Sequence, residues 1–258
     1  MNTLRFDSLQ AVPGLHHAIT TRAGGDSNGE YSGLNLAFHV EDDAQSVRSN
    51  RRCLGEALGY DASTLVAAQQ VHGVNAHIVG AHDSGRGSSD GDSAIPETDA
   101  LIVAEPRIPV MILVADCAPI LIVDSVHRVL AVVHAGWRGA LARIASQTLQ
   151  VMARAFDTRA EELRVGIGPC LCLECLEVGE EVAAQVMSTH VLRHSQWEKP
   201  HLDLRAMIAE DLIENGVLAL QIEVMERCPC CENETFFSHR AQNGQAGRFG
   251  LVAWWDGI

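Results

Sequence analysis

Dense apolar runs separated by short polar breaks fill the middle of the chain. Residues 64–68, 74–79, 100–103, 110–114, 120–123, 129–133 and 163–167 are short, β-branched stretches bounded by turn-forming residues, and each predicts a strand. Between 140 and 156 the spacing changes: Leu141, Ile144, Leu149, Met152 and Phe156 fall on one helical face. Weaker helical patterns cover 44–58, 179–187 and 204–215, the last stopping at Asn215-Gly216, which supplies a residue free to adopt positive φ. Strands and helices mix without strict alternation, which predicts an α+β fold rather than a doubly wound sheet. The stretch 80–98 is rich in Gly, Ser and Asp and has little apolar surface of its own. It is expected to be a flexible surface loop inside a single domain, because candidate ligands lie on both sides of it.

Composition narrows the functional classes. The 258 residues carry a formal charge of −14, which opposes sequence-independent binding to nucleic acid. An anionic ligand must therefore meet a local cluster of cations. Lys199 is the single lysine beside eighteen arginines, which removes a phosphate-binding loop of the Walker type. The longest apolar run, Val110 to Val123, is interrupted by Ala115-Asp116-Cys117-Ala118-Pro119 and is too short to span a membrane. The first residues lack a basic segment followed by an apolar one. A cytoplasmic protein is expected, and its eight cysteines are expected as thiols or metal ligands rather than disulfides.

The chemistry concentrates where two apolar runs flank the polar turn Asp124 to Arg128, the pattern of a hairpin. A turn centred between Ser125 and Val126 sets Cys117 opposite His134, and directly opposed residues have Cβ atoms about 4.5–5.5 Å apart. A thiolate and an imidazole on one face suit zinc or Cu(I). His72, in Gln69-Gln70-Val71-His72-Gly73, is the third candidate, with Gly73 allowing close backbone approach. Three protein ligands leave a fourth position open, the arrangement of a catalytic zinc.

Six segments occur in order along the chain. They are Thr21-Arg22-Ala23-Gly24-Gly25, Gln70-Val71-His72-Gly73, Ala115-Asp116-Cys117-Ala118-Pro119, Val133-His134-Ala135-Gly136-Trp137-Arg138-Gly139, Ile167-Gly168-Pro169-Cys170 and Phe236-Phe237-Ser238-His239-Arg240. Together they resemble the purine nucleoside phosphorylase family once described as multicopper polyphenol oxidases or laccase-domain proteins, whose bacterial members are also called peptidoglycan-editing-factor-like. The resemblance spans nearly the whole chain. It implies a mixed β-sandwich flanked by helices, in α/β/β/α layers, with zinc rather than copper held by His72, Cys117 and His134. It also implies phosphorolysis of adenosine, inosine, guanosine and methylthioadenosine, with deamination of adenosine as a second activity. The partners would then be nucleosides and inorganic phosphate, with neither nucleic acid nor membrane, in a monomer or homodimer.

These reactions make physical demands. Deamination needs a nucleophile at neutral pH, which an open zinc supplies by lowering the pKa of its water. Phosphorolysis needs cations around phosphate. Arg138, four residues after His134, and Arg22, followed by Gly24-Gly25, are the candidate phosphate contacts, and Asp116 is a candidate base or orienting group. The chain departs from the family's Phe-Phe-Ser-Tyr-Arg-Arg at His239 and Ala241, which puts a role for that segment in doubt.

Other readings compete. A multicopper oxidase needs many clustered histidines, yet twelve histidines include no His-x-His pair. A metal-free cysteine hydrolase, with Cys117 attacking and His134 as base, would suit editing of peptidoglycan precursors. Cys170, Cys172, Cys175, Cys228, Cys230 and Cys231 raise the question of a second metal. Cys172-Leu173-Glu174-Cys175 has ligand spacing, but Cys228-Pro229-Cys230-Cys231 is irregular, so reduced thiols are expected there.

Overall fold

Consecutive apolar residues along a strand point to opposite faces, so an unbroken apolar run needs cover on both sides. The computed structural model, which describes residues 1–257, provides that cover with two stacked sheets between helical layers. The first half of the chain contains β1 (Thr3–Leu4), β2 (Leu15–Thr20), α1 (Ala44–Leu58), β3 (Val66–Ala67), β4 (Ala76–Val79), β5 (Ala100–Val103) and β6 (Val110–Val114). Next come β7 (Ala118–Asp124), β8 (Val129–Ala135), α2 (Trp137–Leu141), α3 (Ile144–Phe156) and β9 (Arg164–Ile167). The last part holds α4 (Glu180–Ala183), β10 (Val191–Leu192), β11 (His201–Leu202), α5 (Leu204–Glu214), β12 (Ile222–Val224) and β13 (Phe249–Trp255). One sheet runs β1-β2-β13-β6-β3, the other β12-β9-β7-β8-β5-β4, and β10 pairs with β11 alone.

The three buried clusters follow strand parity. Leu101, Val103, Leu121, Val123, Leu130 and Val132 face Val110, Ile112, Val114, Leu251 and Ala253 between the sheets. Ile102, Ile120, Ile122, Ala131 and Val133 point the other way, against Ile144, Leu149 and Met152 of α3 and Ile208 and Leu212 of α5. On the far side Met111, Leu113, Val252 and Trp254 pack on Leu54 of α1. The α/β/β/α layering of a single α+β domain results. Among the described residues no helix is long and apolar enough to cross a membrane.

Three local expectations change. The β7–β8 hairpin pairs Asp124 with Val129, which leaves the four residues 125–128 in the loop and sets His134 opposite Pro119, not Cys117. Asp124 causes this longer turn: its carboxylate accepts from the backbone N–H of Val126 and His127 at 2.9 Å each and from Thr158 Oγ1 at 2.7 Å. Helical structure over 140–156 is broken, because Arg143 adopts φ 61° and Asp211 of α5 accepts from Ser146 N at 3.0 Å, starting a new helix. The helix expected over 179–187 shortens to Glu180–Ala183.

The Gly/Ser/Asp-rich stretch takes its contacts from the body of the protein. Ile95 is buried, Arg51 donates to the Gly87 carbonyl, and Ala67 N donates to the Arg86 carbonyl at 2.9 Å.

Candidate metal centre

The chain crosses from one sheet to the other between β6 and β7, and the crossing is only Ala115-Asp116-Cys117. Asp116 makes the bend with φ 92°, a conformation that costs energy outside glycine. It is held there on three sides. Its carboxylate accepts from Ser238 Oγ and from Arg240 N, each at 2.6 Å, and its carbonyl accepts from Leu171 N at 3.0 Å. Cys117 is thereby delivered to the open end of the inter-sheet core.

His134 shares strand parity with Leu130 and Val132, so its ring points to the same inter-sheet side. The two-residue change in pairing keeps that parity, which is why Cys117 and His134 still meet although they are not directly opposed. His72 arrives on the loop between β3 and β4, itself at φ 60°. Gly73 takes no left-handed conformation; the strained residue is the candidate ligand itself. The ligand atoms of His72, Cys117 and His134 lie within 4.8 Å of one another. The two imidazoles meet edge to face with centroids 4.7 Å apart.

No sequence motif marks Asp99, yet that residue builds the centre. It is fully buried. His134 Nδ1 donates to Asp99 Oδ1 at 2.8 Å, which leaves Nε2 free to face the thiol. The backbone N–H groups of Val71, His72 and Gly73 donate to the same carboxylate at 3.2, 3.0 and 2.8 Å. One side chain thus orients two of the candidate ligands. The available signal was an aspartate at the start of a strand run, between the two histidines in sequence.

Electrostatics prepare the sulfur. Burial raises the Cys117 thiol, but the charge and hydrogen bonds of His134 and His72 outweigh it and draw the pKa down to about 6. Burial works against a charged His134 ring, while Cys117 and Asp99 raise its pKa. A thiolate favoured by its imidazole neighbours is what a metal ion would meet here, and with the imidazoles neutral the donor set of two nitrogens and one sulfur fits a tetrahedral ion with one position left open. Gly136 is required next to it: a Cβ there would lie 2.9 Å from Cys117 Sγ and 3.1 Å from His72 Cδ2.

The centre lines a cavity of about 370 Å³. Leu113, Trp137, Leu171, Leu176 and Leu204 supply apolar wall, and His239, Arg240 and Arg248 supply polar groups. Arg138 and Arg22 do not line it. Arg138 is exposed, its guanidinium 4.3 Å from the Trp137 ring centroid. Arg22 donates to the Asn233 carbonyl at 2.9 Å and lies over Phe237 at 4.6 Å, tying two loops together. Arg248 is partly buried and close enough to Cys117 and Asp116 to interact with their charges. Asp116 is raised by burial, partly offset by its bonds to Ser238 and Arg240, so both its oxygens are already engaged.

Two stacked sheets between helices, with an open His-Cys-His group where a strand crosses between sheets, define an α+β sandwich protein with a candidate metal centre. The chain belongs to the multi-copper polyphenol oxidoreductase laccase family, whose model matches residues 16–256. It is 37% identical over 254 residues to a purine nucleoside phosphorylase of Deinococcus radiodurans, covering 96% of this chain and 91% of that one. It is 34% identical over 250 residues to adenosine deaminase RL5 of an unknown prokaryotic organism, covering 95% of each. The crystal structure of YlmD from Geobacillus stearothermophilus matches with a TM-score of 0.91 at 30% identity, over 95% of this chain and 93% of that one.

Proposed function

We propose that this protein is a cytoplasmic, zinc-dependent purine nucleoside phosphorylase that also deaminates adenosine. The observation that carries the proposal is the prepared His72-Cys117-His134 group opening into a cavity large enough for a nucleoside. The names of the relatives, purine nucleoside phosphorylase and adenosine deaminase, support it. A zinc ion held by these three residues would supply Lewis acidity at the wall of the cavity.

The remaining roles belong to the chain itself. Trp137 and the leucines present an apolar surface to a purine base. Arg248 and Arg240 are the cations placed to meet phosphate, and Arg138 supports the wall through Trp137. Asp116 acts as a positioning residue, keeping Cys117 at the start of β7 and the Ser238–Arg240 turn at the rim. His239 stands at the mouth where the resembling family carries a tyrosine, and its ring retains a polar group there.

The lowered Cys117 thiol beside His134 also suits a metal-free cysteine hydrolase acting on peptidoglycan precursors. The oxidase reading lacks ligands: among the described residues only two groups of three or more side chains can hold a metal, and the second contains no histidine. Protein stripped of metal and then restored with zinc, assayed with adenosine in phosphate-free buffer, separates these readings. Zinc-dependent release of inosine and ammonia is expected, with loss in His72→Ala. Full activity of the metal-free protein would overturn the zinc assignment in favour of the cysteine hydrolase.

A further inference from the structure

A second group of metal-binding side chains lies in the two loops that follow β9 and β12. These strands are parallel neighbours, so the loops leave the sheet at the same end. Cys172 and Cys175 come from the first loop, Cys228 and Cys231 from the second, and all four sulfurs lie within 4.8 Å of one another. Cys231 Sγ is 3.8 Å from Cys172 Sγ and 3.5 Å from Cys175 Sγ. All are free thiols. A tetrahedral tetrathiolate with metal–sulfur bonds of about 2.3 Å sets its sulfurs about 3.8 Å apart. The Cys231 sulfur stands near that spacing from both sulfurs of the first pair. Cys230 disguises the regularity of the second segment, but Cys228 and Cys231 have the same three-residue spacing as Cys172 and Cys175.

We infer that Cys172, Cys175, Cys228 and Cys231 bind a structural zinc ion, separate from the His72-Cys117-His134 centre. Four thiolates leave no open position, the property of a structural rather than catalytic site. The surrounding backbone is arranged for it. Cys172 N donates to Cys228 Sγ at 3.4 Å, and Cys170 N donates to the Arg227 carbonyl at 3.2 Å. Arg205 of α5 bridges the loops, donating to the carbonyls of Cys170 at 3.0 Å and Arg227 at 2.6 Å. Its positive charge opposes the net negative charge of a divalent ion with four thiolates.

The site pins two parts of the cavity at once. Leu171 and Leu176, on either side of the first cysteine pair, form its wall. The chain after Cys231 leads directly to Ser238 and Arg240, which hold Asp116. A metal here would fix the distance between the wall and the segment that carries Cys117.

The test is metal analysis of protein made with zinc supplied, read independently of any nucleoside assay. The wild type should carry two zinc ions per chain, and Cys117→Ala should keep one. X-ray absorption of the ion left in Cys117→Ala should show a shell of sulfur alone at about 2.3 Å. The Cys172→Ser/Cys175→Ser variant should lose that second equivalent. Should this variant fail to fold, the wild-type count and the Cys117→Ala spectrum still decide. A folded Cys117→Ala protein without zinc, or with nitrogen in the remaining shell, would overturn the inference. So would a wild type whose four loop cysteines are paired in disulfides when thiols are counted without reductant.

Discussion

Asp99 commits its carboxylate to His134 and to three backbone N–H groups of the His72 loop, so its removal reaches two ligands at once. Asp99→Asn keeps the shape but replaces an acceptor-only carboxylate with an amide that can accept on one side only. Metal affinity should fall about 10–100-fold, the range for a partner that orients ligands, as read by competition with a chromophoric chelator. Unchanged affinity would show that the ligands hold their own positions. Gly136→Ala is a sharper probe, because its added methyl would stand 2.9 Å from Cys117 Sγ. It should lose metal while leaving the sheets intact by circular dichroism. Asp99 did not stand out in the sequence, and Gly136 was marked only as part of the segment around His134, with no role of its own. An aspartate and a glycine carry no signature of their role until the chain brings distant segments together.

At the scale of elements, the β7–β8 hairpin shows what was legible and what was not. Both apolar runs were plain, and the face shared by Cys117 and His134 followed from period two. The pairing itself did not, because Asp124 builds a four-residue loop from side-chain bonds that no periodicity reports. Strands β13 and β2 escaped the apolar pattern for similar reasons. Gly250 interrupts β13, and the His16-His17 pair gives β2 a polar signature. His17 is in fact buried, and burial, with Arg5 nearby, pulls its pKa down to about 4 so that the neutral ring accepts from Phe6 N at 3.0 Å. Asp124→Ala should destabilise the protein by about 3 kcal/mol, the cost of charge-assisted bonds lost from a buried carboxylate, measured by urea unfolding. Burial raises the Asp124 carboxyl, but the N–H of His127, Thr158 and the His127 ring outweigh it, so its folded pKa is depressed. Its contribution is therefore present above the ordinary carboxylate range and lost as pH falls through the folded value. The stability gap between wild type and Asp124→Ala should narrow in acid.

Over the whole molecule, a chain of formal charge −14 can offer an anion such as phosphate only a local cluster of cations. The structure gathers Arg240 and Arg248 at the cavity, brought from the end of the sequence to segments near its middle. Motif spacing favoured Arg138 for its closeness to His134 in the chain, but α2 turns that side chain outward onto Trp137. Arg248→Ala should cost phosphorolysis about 3 kcal/mol, as for a well-placed donor to an anionic transition state. Arg138→Ala should cost less, and the reverse order would return the phosphate site to Arg138. The strands and the α+β class were readable from periodicity and the three candidate ligands from residue type, whereas the α/β/β/α layering was implied only by the family resemblance. Asp99, the Arg240–Arg248 pair and the second cysteine group rest on contacts between segments far apart in sequence.

The most direct measurement supplies inosine to zinc-loaded protein, with and without inorganic phosphate, and identifies the sugar product. A phosphorylase must form ribose 1-phosphate and hypoxanthine in equal amounts, only when phosphate is present and only while His72, Cys117 and His134 retain their metal. Equal cleavage without phosphate, giving free ribose, would make the protein a nucleoside hydrolase. No reaction of any nucleoside in either buffer would contradict the purine assignment altogether.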